Sequence, residues 1–280
     1  MTRSKVTILE IQNKKENGQK ITMLTAYDYP TALLVDRAGI DMILVGDSLA
    51  MVVLGLETTV PVTMEEMIHH IRAVTRGAKR AHIVGDLPFL SYQTSIEEAI
   101  RNAGRLLKEG GADSVKLEGG VEMAEVVHAV VKAGIPVMGH IGLTPQTLSK
   151  LGGFKAQGRD AEAAKRLIED AEALQDAGAY SIVLEAIPTP VAKRITESVR
   201  IPTIGIGAGP HCDGQVLVTH DLVGLFDRFV PRFVKQYAQL GKAMVEAFET
   251  FRREVEEGIF PGPEHGFSMK PEEEAKLEAD

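Results

Sequence analysis

Cysteine is almost missing from this chain: among 280 residues there is one, Cys212. That excludes an intrachain disulfide framework and a cysteine-rich zinc site, and it points to a reducing, cytoplasmic setting. An excess of basic residues is missing too. The formal net charge is −8, which gives no support to a nucleic acid or an anionic membrane surface as partner. No apolar run approaches the roughly 20 residues needed to span a bilayer. The opening M-T-R-S-K-V-T-I-L-E-I lacks the apolar core of a signal peptide, so the expectation is a soluble, unsecreted protein. With 44% hydrophobic and 25% charged residues, the composition is that of a globular chain rather than a disordered one.

What is present is an internal regularity. A helix-like segment ends in glycine, and a short apolar run follows that finishes on a polar residue. The instances are A-G-I-D-M-I-L-V-G-D to Asp47, G-G-A-D-S-V-K-L-E to Glu118, A-G-I-P-V-M-G-H to His140 and A-G-A-Y-S-I-V-L-E to Glu185, with R-G-A-K-R-A-H-I-V-G-D delivering Asp86 as a variant. Glycine suits the left-handed turn that closes a helix, so each instance reads as a helix-to-strand unit. The intervening helices are predicted over 62–76, where Thr63 and Glu66 have capping-box spacing, over 95–109, where Ser95 and Glu98 repeat it, and over 121–132, 160–176 and 190–199. From Ile21 onward about eight strands alternate with helices, and eight units in this length favour a (β/α)8 TIM barrel, an α/β fold, over a doubly wound sheet. The I-G-I-G-A-G run at 204–209 is not a dinucleotide fingerprint, because its third glycine comes one place too early and Pro210 follows. It reads instead as a barrel strand followed by a loop that packs close to a ligand.

A single domain is expected, with a short N-terminal helix over 5–17, a core over about 20–225, and a C-terminal helical extension over about 232–257. That extension carries Phe233, Tyr237, Leu240, Met244, Val245, Phe248, Phe251 and Val255 as an apolar stripe, which should pack on its own barrel or on a neighbouring subunit. The acidic tail over about 268–280 is expected to fray. Two connections, 49–61 and 142–160, are longer than a barrel requires. Both follow strand ends and would sit over the face where barrel active sites are built; the second reads as a substrate-covering loop.

The chemistry centres on V-K-L-E-G-G at 115–120. Residues two apart on a strand share a face, so Lys116 and Glu118 project side by side just before the chain turns. In a barrel, Asp47, Ser48, Asp86, His140 and Glu185 converge with them. Acids gathered from several strands, with oxygen donors and no cysteine, suit a hard divalent ion such as Mg²⁺. Lys116 then binds a substrate carboxylate or offsets the acids' charge; a Schiff-base role is the sharper alternative. Glu185, flanked by Leu184 and Ala186, can be tuned as a base. His140 can bind the ligand, assist proton transfer or bond to a backbone carbonyl. His69 and His70 lie in a helix and are not expected to be ligands, while His220-Asp221 at the last strand end is a further candidate.

The ordered segments T-A-Y-D-Y, L-V-G-D-S-L, D-L-P-F, V-K-L-E-G-G, G-H-I-G-L-T-P-Q, G-G-F-K-A-Q-G-R, L-E-A-I-P and I-G-I-G-A-G resemble the ketopantoate hydroxymethyltransferase family from about Ile21 to His265. The resemblance implies a (β/α)8 barrel in a homo-oligomer, commonly a decamer. It implies transfer of a hydroxymethyl group from 5,10-methylenetetrahydrofolate to 3-methyl-2-oxobutanoate, giving 2-dehydropantoate for pantothenate and coenzyme A. By position, Asp47, Asp86 and Glu118 correspond to magnesium-binding acids, Asp47, Ser48, Asp86 and Lys116 to residues that hold the oxo acid, and Glu185 to the catalytic proton acceptor. The nearest rival is another magnesium-dependent barrel acting on a 2-oxo acid, of the phosphoenolpyruvate mutase and isocitrate lyase type. Those enzymes carry a catalytic cysteine on a mobile loop, whereas Cys212 lies in G-P-H-C-D-G. A rival of another class is a non-catalytic, carboxylate-binding scaffold, which has no use for both the metal acids and Glu185.

Overall fold

The computed structural model of the chain describes residues 4–147 and 156–277. Eight parallel strands close into a barrel in sequence order, with the last pairing back to the first. They are β1 (Ile21–Thr25), β2 (Met42–Val45), β3 (His82–Asp86), β4 (Ser114–Glu118), β5 (Val137–Gly142), β6 (Ser181–Glu185), β7 (Thr203–Ile206) and β8 (Gly214–Leu217). This is the architecture that the glycine-terminated repeat predicts. The interior is filled by Met23, Met42, Leu44, Val84, Met138 and Val216, among others. A second apolar layer lies between the strands and the surrounding helices. Strands such as M-I-L-V are therefore buried along their whole length, which is why they show no apolar/polar alternation.

Local signals set the helix starts. Thr7 and Glu10 form a capping box at Ile8–Glu16, and Thr63 and Glu66 form another at Met64–Gly77. At Ile96–Arg105 only half of the predicted box exists: the Ser95 side chain accepts from Glu98 N, while the Glu98 carboxylate turns to the Thr94 hydroxyl. The N-terminal helix closes the lower end of the barrel. Ile11 is fully buried there, and Val6 N donates to Arg80 O at 2.7 Å.

Four expectations change. The predicted helix at 121 opens as a 3-10 turn, Val121–Met123, before the α-helix Ala124–Lys132. No helix separates β7 from β8: residues 207–213 return along the barrel directly. This tight return depends on close packing, since a Cβ on Gly205 would lie 2.9 Å from Cys212 Sγ. The C-terminal helix is Leu240–Glu256, so Phe233 and Tyr237 precede it, and none of its residues is buried. Finally, the acidic tail contains the helix Pro271–Leu277.

Gly142, at the top of β5, has φ +98°, and a Cβ there would come within 2.2 Å of the carbonyl oxygen of Glu185. Both the backbone angle and the contact exclude a side chain. Gly142→Ala is predicted to cost about 1–3 kcal/mol, read as a drop of several degrees in Tm; an unchanged melting curve would contradict this account.

Candidate active site

Register builds the site. Asp86 on β3 pairs with Lys116 on β4; two residues further along β4, Glu118 pairs with His140 on β5; two residues further along β5, Gly142 pairs with Glu185 on β6. Each step of two keeps the same inward face, and each lateral step crosses one strand. The result is a rising line of polar groups at the upper end of an otherwise apolar barrel. Asp47 and Ser48 join it from the turn after β2. All seven side chains singled out from the sequence line one cavity of about 1090 Å³.

Lys116 Nζ lies 2.9 Å from Asp86 Oδ1 and 3.3 Å from His140 Nδ1. The two carboxylates flanking His140 are Glu118, whose Oε1 is 3.4 Å from Nδ1, and Glu185, whose Oε2 is 3.1 Å from Nε2. Asp86 Oδ2 accepts from Asp47 N at 3.2 Å. Ser48 Oγ and Tyr27 Oη are 2.8 Å apart.

Burial dominates the electrostatics. Together with the charges of Asp86 and Glu118 it pushes the Asp47 carboxyl up to about 8, against the opposing pull of Lys116 and the Gln146 amide. Burial raises Asp86 as well, with Lys116 opposing it. For Lys116 burial favours the neutral amine, but Asp86, Glu118 and Asp47 outweigh it and hold the proton well above the usual lysine range. For His140, burial and Lys116 disfavour the imidazolium, yet the bonds to Glu118 and Glu185 carry it up to about 9. Burial likewise works against the Glu118 carboxylate, but His140 and Lys116 bring its pKa below the ordinary value. At neutral pH Lys116 and His140 are therefore cations and Asp47 keeps its proton.

Gln146 belongs to this site and was not among the predicted residues, although it ends the L-T-P-Q segment. It is 3% exposed. Its Nε2 donates to Asp47 Oδ2 at 3.0 Å and to Leu87 O at 2.9 Å, its backbone N–H to Glu118 Oε2 at 3.1 Å, and its Oε1 accepts from Tyr92 Oη at 2.8 Å. It thus fixes two acids from the loop beyond β5. The expected covering loop over 142–160 falls partly outside the described residues, at 148–155. His70, a helical residue as predicted, has its Nδ1 2.7 Å from Tyr27 O and is no candidate ligand. In the I-G-I-G-A-G run, Ile206 and Gly207 line the cavity, with the Phe233 ring against Gly207.

Asp47 and Asp86 fit a hard divalent cation. They are adjacent and buried, burial keeps Asp47 protonated, and Asp86 Oδ1 has no directed hydrogen bond although Lys116 faces it. Among the described residues no three His, Cys, Asp or Glu side chains converge as a ready-made ligand set. Glu118, beside the two aspartates, has its two oxygens directed to His140 and to the Gln146 backbone. Two carboxylates with the remaining positions left to water and substrate is the pattern that magnesium accepts.

A family model described as ketopantoate hydroxymethyltransferase matches residues 5–263. The chain is 62% identical over 265 residues to the 3-methyl-2-oxobutanoate hydroxymethyltransferase of Moorella thermoacetica, covering 95% of this chain and 98% of that one. It is also 62% identical over 275 residues to the protein of the same name from Syntrophobacter fumaroxidans, covering 98% and 97%. Among solved structures, phosphonopyruvate hydrolase in complex with oxalate and Mg²⁺ superposes with a TM-score of 0.62 at 14% identity, covering 99% and 97% of the two chains. A 2,3-dimethylmalate lyase of the PEP mutase/isocitrate lyase superfamily superposes at 0.59 with 18% identity, covering 97% of each. At that identity the likeness concerns the fold.

Two of the raised groups, Asp47 and His140, have a consequence for the stability of the metal-free protein. Asp47, up from an ordinary 3.8 to about 8, and His140, up from 6.5 to about 9, bind protons in the folded state that the unfolded chain has already released. Their contribution to stability is therefore present at low pH and lost as pH rises through about 8 and 9. With a chelator present, Tm is predicted to fall between pH 6.5 and 9, and Asp47→Asn to flatten that fall. A Tm that rises with pH over this window would contradict the assignment.

Proposed function

The chain belongs to the ketopantoate hydroxymethyltransferase family, and on that premise we propose that it transfers the one-carbon unit of 5,10-methylenetetrahydrofolate to 3-methyl-2-oxobutanoate, giving 2-dehydropantoate. The observation that carries the reading is the line of groups from Asp86 to Glu185, which offers an anchor for a carboxylate, a seat for a divalent cation and a base at successive heights of one wall.

Lys116 and the Ser48 hydroxyl hold the oxo acid's carboxylate, with Lys116 turning from its ion pair with Asp86. Asp47 and Asp86 would hold Mg²⁺, with Glu118 beside them, its own oxygens already directed to His140 and to the Gln146 backbone. Bound there, the ion would draw electron density from the 2-oxo group and so make the neighbouring C–H more acidic. Glu185 removes the C3 proton. His140, 3.1 Å from Glu185 and 3.4 Å from Glu118, orients the base and stabilises its charge before transfer. Water adds to the methylene carbon as one of its C–N bonds opens, the C3 carbanion equivalent displaces the remaining folate nitrogen from that carbon, and the protons given up by water and by C3 end on the two nitrogens as tetrahydrofolate departs. The apolar wall of Val183, Leu143 and Ile206, which also lines the cavity, suits the substrate's two methyl groups and excludes water from C3.

Among the described residues no helix is long and apolar enough to cross a membrane. We also propose that the protein works as a homo-oligomer in the cytoplasm. The C-terminal helix leaves Met244, Val245, Phe248, Phe251 and Val255 all more than 40% exposed, and such a stripe on one chain is explained by a second copy covering it.

The test is twofold. Wild-type protein with 3-methyl-2-oxobutanoate, methylenetetrahydrofolate and Mg²⁺ should form 2-dehydropantoate, and folded protein that forms none would refute the proposal. In deuterated water without folate, wild type should exchange the substrate's C3 proton, while Glu185→Gln should lose that exchange by about 10²–10⁴-fold and still bind the oxo acid; unchanged exchange would remove Glu185 from the role of base.

A further inference from the structure

The oxo acid and its cation engage groups from β2 to β6, yet the cavity continues past β7 and β8. A five-carbon oxo acid fills only a small part of about 1090 Å³. On the far side stands Asp221, in the short helix Thr219–Leu222 after β8. It is 7% exposed and lines the cavity. Among the described residues no side chain or backbone group donates a hydrogen bond to its carboxylate, and no cation pairs with it. The nearby Tyr27 hydroxyl is already committed to Ser48 at 2.8 Å. Burial, acting without any compensating partner, pushes the Asp221 carboxyl up to about 6. An unpaired buried carboxylate is costly, and a ligand that brings N–H donors removes the cost.

The residues around Asp221 describe that ligand. Phe226, Phe229 and Phe233 line the same cavity, Phe226 N donates to the carbonyl of His220, next to Asp221, at 3.3 Å, and Phe229 is 60% exposed. Phenylalanine faces of this kind accept a flat ring between them. Arg232 lies at the rim, suited to an anionic group further along the same ligand.

We infer that Asp221 anchors the aminopyrimidinone edge of the folate's pterin, accepting from its ring N–H and exocyclic amino group, with the ring against Phe226 and Phe229 and the glutamyl tail towards Arg232. This rests on the transfer reading and adds to it a subsite for the one-carbon donor. It also accounts for the two substrates meeting: the oxo acid binds on the β3–β6 side, the folate enters from the β8 side, and the methylene group lies between them.

The experiment is calorimetric titration of tetrahydrofolate, and separately of 3-methyl-2-oxobutanoate with Mg²⁺, into wild type, Asp221→Asn and Phe229→Ala. Asn keeps the shape but turns one acceptor into a donor that faces donors. Tetrahydrofolate affinity should fall about 10–100-fold in Asp221→Asn and several-fold in Phe229→Ala, while the oxo-acid Kd stays within about twofold. Tetrahydrofolate binding unchanged in Asp221→Asn would overturn the inference, and so would equal weakening of both ligands. If Asp221→Asn does not fold, unchanged tetrahydrofolate binding by Phe229→Ala overturns it in the same way. A wild-type protein that forms no 2-dehydropantoate would instead bring down the transfer reading, and this subsite with it. Active wild type with an unaffected Asp221→Asn brings down the subsite alone.

Discussion

One ammonium group holds this site together. Asp47, Asp86 and Glu118 are each at most 5% exposed, and three carboxylates cannot share a buried volume without compensation. Lys116 supplies it at 2.9 Å from Asp86, with His140 as a second positive group between Glu118 and Glu185 and a proton retained on Asp47. Every functional role assigned above draws on that balance. A divalent cation between Asp47 and Asp86 would replace the proton and loosen the hold of Asp86 on Lys116. Lys116 would then be free to take a substrate carboxylate. Metal and oxo acid are in this account coupled through one side chain, each preparing the place of the other.

The barrel is a general scaffold, and its likeness to phosphonopyruvate hydrolase and 2,3-dimethylmalate lyase lies in the backbone. The position of the single cysteine keeps it out of the site. Cys212 is buried next to Gly205, just before β8 begins, so it lies by the lower end of the strands. It does not line the cavity that holds the carboxylates. In the proposed reaction the acid–base work is given to Glu185 and His140, and the wall beside them is apolar.

Much of this was legible in the chain because strand geometry is periodic. A side chain two positions from Lys116 must share its face, and a glycine after each helix marks where the next strand begins, so Asp47, Asp86, Glu118, His140 and Glu185 could be aligned before any coordinates. The lateral pairing was not legible, because register between strands depends on barrel closure. Gln146 was missed for a related reason: it comes from a loop, where no periodicity says which way a side chain turns, and it meets Asp47 only across 99 positions of sequence. The direct return from β7 to β8 broke the expected alternation because close packing around Gly205 let a short connection do the work of a helix. Phe233 and Tyr237 read as part of a helical stripe by spacing alone, yet Phe233 is drawn onto Gly207 instead.

The central claim is that Lys116 balances the acids until the oxo acid takes its charge. Replacing it by methionine, Lys116→Met, keeps the length and removes the ammonium, and calorimetry of Mg²⁺ and of 3-methyl-2-oxobutanoate then separates the two roles. The account predicts Mg²⁺ binding equal to or tighter than wild type, with oxo-acid affinity reduced by about 100-fold or more. Oxo-acid affinity within about twofold of wild type, measured with Mg²⁺ present, would contradict it.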